Sequence, residues 1–174
     1  PYTVDRMKDV LSNFFVESYV NTTPTHYYSG VELKTATCDN TDVAEVGFVG
    51  RTLLNAFNAL EYGSQQNRPE LVNSANSIFD TYLTNGFSPA GFFNEVVHYN
   101  RDFKEANLSI RRQSEGVYAI LNYLDYEKQH KRKHPEWEKR LKVILDSFLR
   151  LQNADGSFPR KFKDDFSIVD GTGG

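Results

Sequence analysis

The chain has 174 residues, enough for one domain with a real core. Its 20 basic and 23 acidic residues are interspersed and sum to −3, so no basic face is available for phosphate contacts and nucleic acid is excluded as a partner. No apolar run approaches the ~20 residues that cross a bilayer, so no membrane span is expected.

In chain order, the pattern predicts five helices. The first, 4–20, carries a stripe of Val4, Met7, Leu11, Phe14 and Ser18 with Asp5, Lys8, Asp9, Ser12 and Glu17 between them, the mark of a half-exposed helix. The second, 44–62, is apolar nearly all round across Leu53 to Leu60, and so is expected to be buried on most sides. The third, 69–84, is amphipathic, with Leu71, Ala75, Ile78 and Tyr82 on one face and Pro69 suited to its first turn. The fourth, 114–128, is again apolar around most of its circumference. The fifth, 135–151, shows Trp137, Leu141, Ile144, Phe148 and Leu151 on one face and Glu138, Lys139, Lys142, Asp146 and Arg150 on the other. Strands should be few and short.

The chain repeats itself. Pro69-Glu70 and Pro135-Glu136 lie 66 residues apart, as do Ile78 and Ile144, Asp80 and Asp146, and Leu83 and Leu149. The same offset pairs Gly50 with Gly116, Phe57 with Tyr123 and Glu61 with Glu127. Two copies of one helical hairpin follow, in the order outer, inner, outer, inner, outer. Links from inner to outer helix are short, 63–68 and 129–134. The reverse links, 21–42, 85–112 and 152–174, are long and all leave the same end of an outer helix, so they fall at one end of the array. Loops of this length are uncommon unless functional or disordered. Here they carry Phe92, Phe93, Tyr99, Phe103, Phe158 and Phe162, which argues for packed loops.

These alternating inner and outer helices resemble the (α/α) toroid of six-hairpin glycosidases and related polysaccharide-processing enzymes. The resemblance implies an all-α fold of repeated helical hairpins, incomplete in this chain, and a carbohydrate substrate. Six units of 66 residues need about 400 residues, so residues 1–174 hold about two and a half hairpins of one partial domain. An inner partner is expected after Gly174, which makes the remainder of the same polypeptide a partner. The segment Phe148 to Phe158 is also similar to the Gln-to-aromatic motif of terpene cyclases and protein prenyltransferases.

In toroid enzymes of the resembled kind, the pocket lies at the N-terminal ends of inner helices. Backbone N–H groups there favour anions. Glu115 stands at such a start and is the first candidate acid or base; alternatively it only complements the helix dipole. Asp42 holds the matching place before the earlier inner helix, either as the second carboxylate that glycosidases need or as a helix cap. Arg111 and Arg112 offer guanidinium forks for a sugar carboxylate or hydroxyls, or else pair with Asp102, Glu105 or Asp165. His98 and Tyr99, in the longest loop, add an imidazole and an aromatic face for a sugar ring, or serve the loop's own packing. Asn153-Ala154-Asp155-Gly156 reads as a structural turn.

No metal-ligand pattern occurs, and no metal or cofactor is implied. Cys38 is the only cysteine, which excludes an internal disulfide and leaves the redox compartment undetermined. The start at Pro1 is compatible with a removed leader, and so with a secreted or periplasmic setting, and equally with none. The leading functional expectation is a glycoside hydrolase or polysaccharide lyase. A terpene-cyclase or prenyltransferase relative lacks its Asp-rich cluster and zinc set here. A non-catalytic helical-repeat binding protein does not explain three long loops at one end.

Overall fold

The computed structural model describes residues 3–20, 30–31, 33–34, 39–40, 43–47, 51–98 and 105–171. Among them are five helices: α1 (Val4–Ser18), α2 (Thr52–Gln65), α3 (Pro69–Asn85), α4 (Ile110–Gln129) and α5 (Pro135–Leu151). α2 packs against α3 on one side and α4 on another, α4 packs against α5, and α1 lies on α3. The inner pair is therefore α2 and α4, with α1, α3 and α5 outside.

Local chemistry sets the helix starts. Thr3 caps α1, its hydroxyl accepting from Arg6 N at 3.2 Å. Pro69 and Pro135 open α3 and α5, where a missing N–H costs nothing. The hairpin corners turn through left-handed residues, Asn67 at φ 54° and Lys131 at φ 61°. The main core joins Leu53, Ala56 and Leu60 of α2 with Leu71, Ile78 and Phe79 of α3, Val117, Ile120 and Tyr123 of α4, and Trp137 and Ile144 of α5. Each large aliphatic side chain buried there contributes about 1.5–3 kcal/mol.

Three expectations need correction. The helix expected from 44 begins only at Thr52. Residues Val43–Glu45 instead form a strand, β5, antiparallel to β6 (Val96–His98), with Ala44 opposite Val97. The β-branched valines of this stretch suit a strand, and pairing with the loop after α3 outweighs the apolar content that suggested a helix. The later inner helix, conversely, starts before 114, at Ile110, so Arg111, Arg112 and Glu115 lie within its first turns. Finally, the α1 stripe of Val4, Met7, Leu11 and Phe14 is exposed, while Ser12, Phe15 and Ser18 face inward.

The remaining strands are short. β1 (Tyr19–Val20) pairs with β2 (Gly30–Val31), and β3 (Leu33–Lys34) with β4 (Asp39–Asn40). β7 (Leu108–Ser109), β8 (Lys161–Phe162) and β9 (Ile168–Asp170) form one antiparallel sheet. A second apolar cluster of Phe92, Leu108, Ile110, Leu151 and Phe162 lies beneath it. The aromatic surplus of the loops is thus largely a loop core. Asp164 fastens two of these loops together, accepting from the Ser88 hydroxyl and, at 3.2 Å, from Ala90 N.

Candidate functional site

The first turns of α4 meet the long loops, and an open cavity of about 670 Å³ forms there. Ser109, Arg111, Arg112 and Ser114 line it from α4 and its approach, Phe148 from α5, and Phe158, Arg160 and Lys161 from the segment after α5. β7–β8 pairing places Ser109 opposite Lys161, and Ile110 N donates to Arg160 O at 3.3 Å, which fixes the cavity's rim to the helix start.

Arg112 is gripped by carboxylates. Its Nη1 lies 3.0 Å from Glu105 Oε2 and 3.6 Å from Glu95 Oε2, and its Nη2 lies 3.4 Å from Glu45 Oε1. Glu45 comes from β5 and Glu95 from the turn before β6, so the strand pair positions the acids around a base that α4 presents. Arg111 Nε pairs with Glu115 Oε1 at 3.2 Å, and Arg51 Nε with Glu115 Oε2 at 3.5 Å. Glu115 is thus three-quarters buried, held between two guanidiniums at the long-loop end.

Glu95 is the carboxylate that the sequence reading missed. Its side chain is fully buried. Its Oε1 accepts from Ser109 N at 2.6 Å and from Gln113 Nε2 at 2.9 Å, whereas Oε2 accepts no hydrogen bond among the described residues. Burial pushes its pKa up to about 7, against the opposing pull of the Ser109 N–H, the Gln113 amide and Arg112. Gln113, also fully buried, clamps the preceding backbone: it accepts from Phe93 N and donates to Phe93 O, both at 2.9 Å. The available signal was a lone acid between apolar neighbours, in Phe92-Phe93-Asn94-Glu95-Val96-Val97. Gln113, uncharged and flanked by Arg111, Arg112 and Glu115, carries no local signal of its buried contacts.

Of the candidates from sequence, Arg111 and Arg112 line the cavity, and Glu115 adjoins it through Arg111. His98 is buried at the end of β6, opposite Val43, and does not line the cavity. Asp42 and Tyr99 lie outside the described residues. Of the pairings weighed for the arginines, that of Arg112 with Glu105 is present, while Asp165 is turned to its own loop, accepting from Ser167 N at 2.9 Å. Asp155 likewise holds its turn, accepting from Ser157 N at 3.0 Å, with Gly156 at φ 88°. Among the described residues no group of three or more His, Cys, Asp or Glu could hold a metal ion, and no helix is long and apolar enough to cross a membrane.

No protein-family model and no curated protein matches the sequence. The fold is nevertheless similar to that of solved enzymes. Unsaturated glucuronyl hydrolase from Bacillus sp. GL1 superposes with a TM-score of 0.68 at 13% identity, over 97% of this chain and 44% of that one. D-mannose isomerase gives 0.61 at 12% identity, over 97% and 42%. Cellobiose 2-epimerase from Spirochaeta thermophila gives 0.62 at 14% identity, over 97% and 43%. These are six-hairpin (α/α) toroids. At such identities the likeness is one of fold: the chain is built as part of an (α/α) toroid, and it spans less than half the length of the structures it matches.

Proposed function

We propose that this chain is part of a carbohydrate-active enzyme, a glycoside hydrolase or polysaccharide lyase whose site opens at the long-loop end. The observation that carries the reading is the cavity at the start of α4, whose wall carries the guanidiniums of Arg111, Arg112 and Arg160, the serines Ser109 and Ser114, and the rings of Phe148 and Phe158. Sugars present hydroxyls on their edges and C–H groups on their faces, and this wall offers partners for both. The fold points the same way, since toroids of this kind include enzymes named for sugar hydrolysis, isomerisation and epimerisation.

In this reading Glu115 delivers or removes the proton at the scissile bond, with Asp42 as the second carboxylate. Arg111 and Arg112 bind the sugar and Tyr99 offers it an aromatic face, whereas His98, buried opposite Val43, takes no part in the cavity lining. Hydrolysis requires the carboxylates to flank the bond, roughly 5–5.5 Å apart for retention and 6.5–9.5 Å for inversion. The contacts of Glu115 with Arg111 and Arg51 support a carboxylate held at the site's edge, and substrate would have to compete for Arg111.

A second reading is a sugar isomerase or epimerase using the same cavity, favoured by the isomerase and epimerase among the similar folds. One experiment separates them: the polypeptide that carries these residues is incubated with a panel of oligosaccharides and the products are analysed for cleaved bonds or altered stereochemistry. Cleavage that falls by about 10²–10⁴-fold in Glu115→Gln is the expected result for an acid or base. Unchanged turnover of an accepted substrate removes Glu115 from the chemistry, and products of unchanged length select the second reading.

A further inference from the structure

The two oxygens of the Glu95 carboxyl have different surroundings, and the difference decides where a proton can sit. Oε1 accepts from Ser109 N at 2.6 Å and from Gln113 Nε2 at 2.9 Å, which fills its lone pairs. Oε2 is buried, has no hydrogen-bond partner among the described residues, and lies 3.6 Å from Arg112 Nη1. A proton on this carboxyl is therefore carried by Oε2. An O–H that meets an N–H cannot hydrogen-bond to it, and a separation just beyond hydrogen-bond length is what two opposed donors leave between them.

Arg112 Nη1 meanwhile has a second acceptor, Glu105 Oε2 at 3.0 Å. Arg112 and Glu105 both line the cavity at the start of α4, whereas Glu95 does not. The same nitrogen thus stands between an outer carboxylate at the wall and an inner one behind it. A shift of about 0.7 Å brings it into hydrogen-bond reach of the inner one.

We infer that Glu95 is a positioning residue for Arg112 and acts as a proton-operated catch behind the cavity wall. With the proton on Oε2, the guanidinium stays outward on Glu105. Once the proton leaves, Nη1 moves inward onto Oε2, so the wall loses a donor and gains a buried negative charge behind it. Ligand groups that call on Arg112 are held best in the protonated state, a regulation that rests on the cavity being the binding site proposed above. Burial brings the Glu95 carboxyl to about 7, so both states are populated near neutral pH.

Other charged and titratable groups converge on this spot. Arg112 from α4 and Glu105 from the approach to β7 act on Glu95 directly, and Glu45 of β5 holds Nη2 of the same guanidinium at 3.4 Å. His98 closes β6, and Glu115, one turn along α4, is occupied by Arg111 and Arg51. Of these acids only Glu95 combines a fully buried side chain with an oxygen that lacks a hydrogen bond.

The test uses the native polypeptide that carries these residues, with no substrate present. Phenylglyoxal labels arginine side chains at about pH 5.5 and about pH 8.5, on either side of the Glu95 titration, and fragment mass spectrometry gives the ratio of adduct at Arg112 to adduct at Arg111. Arg111 shares the helix turn and pairs with Glu115, so the ratio cancels the reagent's own pH dependence. The ratio should fall about tenfold at the higher pH, the protection expected from one hydrogen bond to a charged group. In Glu95→Gln the ratio should stay at its low-pH value, because Ser109 N and Gln113 Nε2 hold the amide oxygen at the Oε1 position and leave an –NH₂ facing Arg112. A ratio that does not change with pH in the wild type overturns the inference, and so does an equal fall in Glu95→Gln, which assigns the titration to another group. Neither result bears on the carbohydrate reading, and an inactive sugar assay leaves this labelling test intact.

Discussion

Glu95 Oε2 lies 3.6 Å from Arg112 Nη1, within ion-pair reach and beyond hydrogen-bond length. Burial wins over that weak attraction and over the two hydrogen bonds at Oε1, raising the carboxyl from 4.5 to about 7. The folded state therefore binds a proton more tightly than the unfolded chain between these values. The stabilising contribution of the protonated carboxyl is complete below about pH 4.5 and is lost as pH rises through about 7. At about 1.4 kcal/mol per unit, the loss approaches roughly 3 kcal/mol. Glu95→Gln should flatten this part of the stability profile and leave the protein more stable than wild type at pH 8. Urea midpoints measured from pH 5 to 8 decide the matter, and an unchanged slope in the variant would show that Glu95 is not the titrating group.

Gln113 carries a second prediction. Both ends of its amide are used on Phe93, and the –NH₂ also reaches Glu95. Gln113→Ala leaves a buried N–H, a buried C=O and a carboxylate oxygen short of partners, each worth about 1–3 kcal/mol. A loss of about 2–4 kcal/mol is expected, since water entering the vacated space recovers part of it. Denaturant unfolding that shifts by less than about 1 kcal/mol would mean that the clamp is dispensable.

Gly47 and Gly116 let β5 and its continuation cross the first turns of α4. A methyl group at Gly47 would meet Arg112 Cα at 2.7 Å and Glu115 Oε2 at 3.0 Å, and one at Gly116 would meet Val46 Cγ1 at 2.7 Å. The neighbour of Gly47 is backbone and cannot swing aside. Gly47→Ala should therefore cost about 1–3 kcal/mol, the range for overpacking a well-filled site. Gly116→Ala should cost less, because alanine regains up to about 1 kcal/mol of helix propensity. Thermal unfolding of the two variants side by side tests the ranking, and a Gly47→Ala protein as stable as wild type would contradict the close approach.

What was legible in the sequence was whatever has a period. Trp137, Leu141 and Ile144, or Leu71, Ala75 and Ile78, announce a helix face by spacing alone, and the 66-residue offset exposes the hairpin repeat. The repeat fails where pairing partners are distant. Residues 44–47 occupy the place that Ile110–Gln113 fill at the start of α4, but a strand partner at Val96–His98 draws Val43–Glu45 out of the helix. Glu95 and Gln113 were hidden for the same reason, since their importance comes from contacts across 18 residues that no local pattern encodes. Arg111, Arg112 and Glu115 were findable because a helix start beside long loops is a local feature. Their actual partners, Glu45 and Arg51 among them, depend on how β5 crosses α4.

The hairpin corners at the short-loop end supply the last prediction. Asn67 and Lys131 both adopt left-handed backbone, at φ 54° and 61°, in the turns from α2 to α3 and from α4 to α5. Asparagine tolerates this region through its short polar side chain, whereas lysine bears the Cβ clash with the following carbonyl, about 1–2 kcal/mol. Lys131 N also donates to Lys128 O at 3.0 Å, so the turn is fastened in that conformation. Lys131→Gly removes the clash but adds freedom to the unfolded chain worth about 0.4–1 kcal/mol, which leaves a net gain of roughly 0.5–1 kcal/mol. Lys131→Asn, which copies the other corner, should gain about half as much, since asparagine keeps its Cβ. Neither change touches the long-loop end, so the cavity at the start of α4 should be undisturbed. Urea midpoints of the two variants measure the effect, and a destabilised Lys131→Gly protein would mean that the lysine side chain contributes more to the corner than its backbone strain costs.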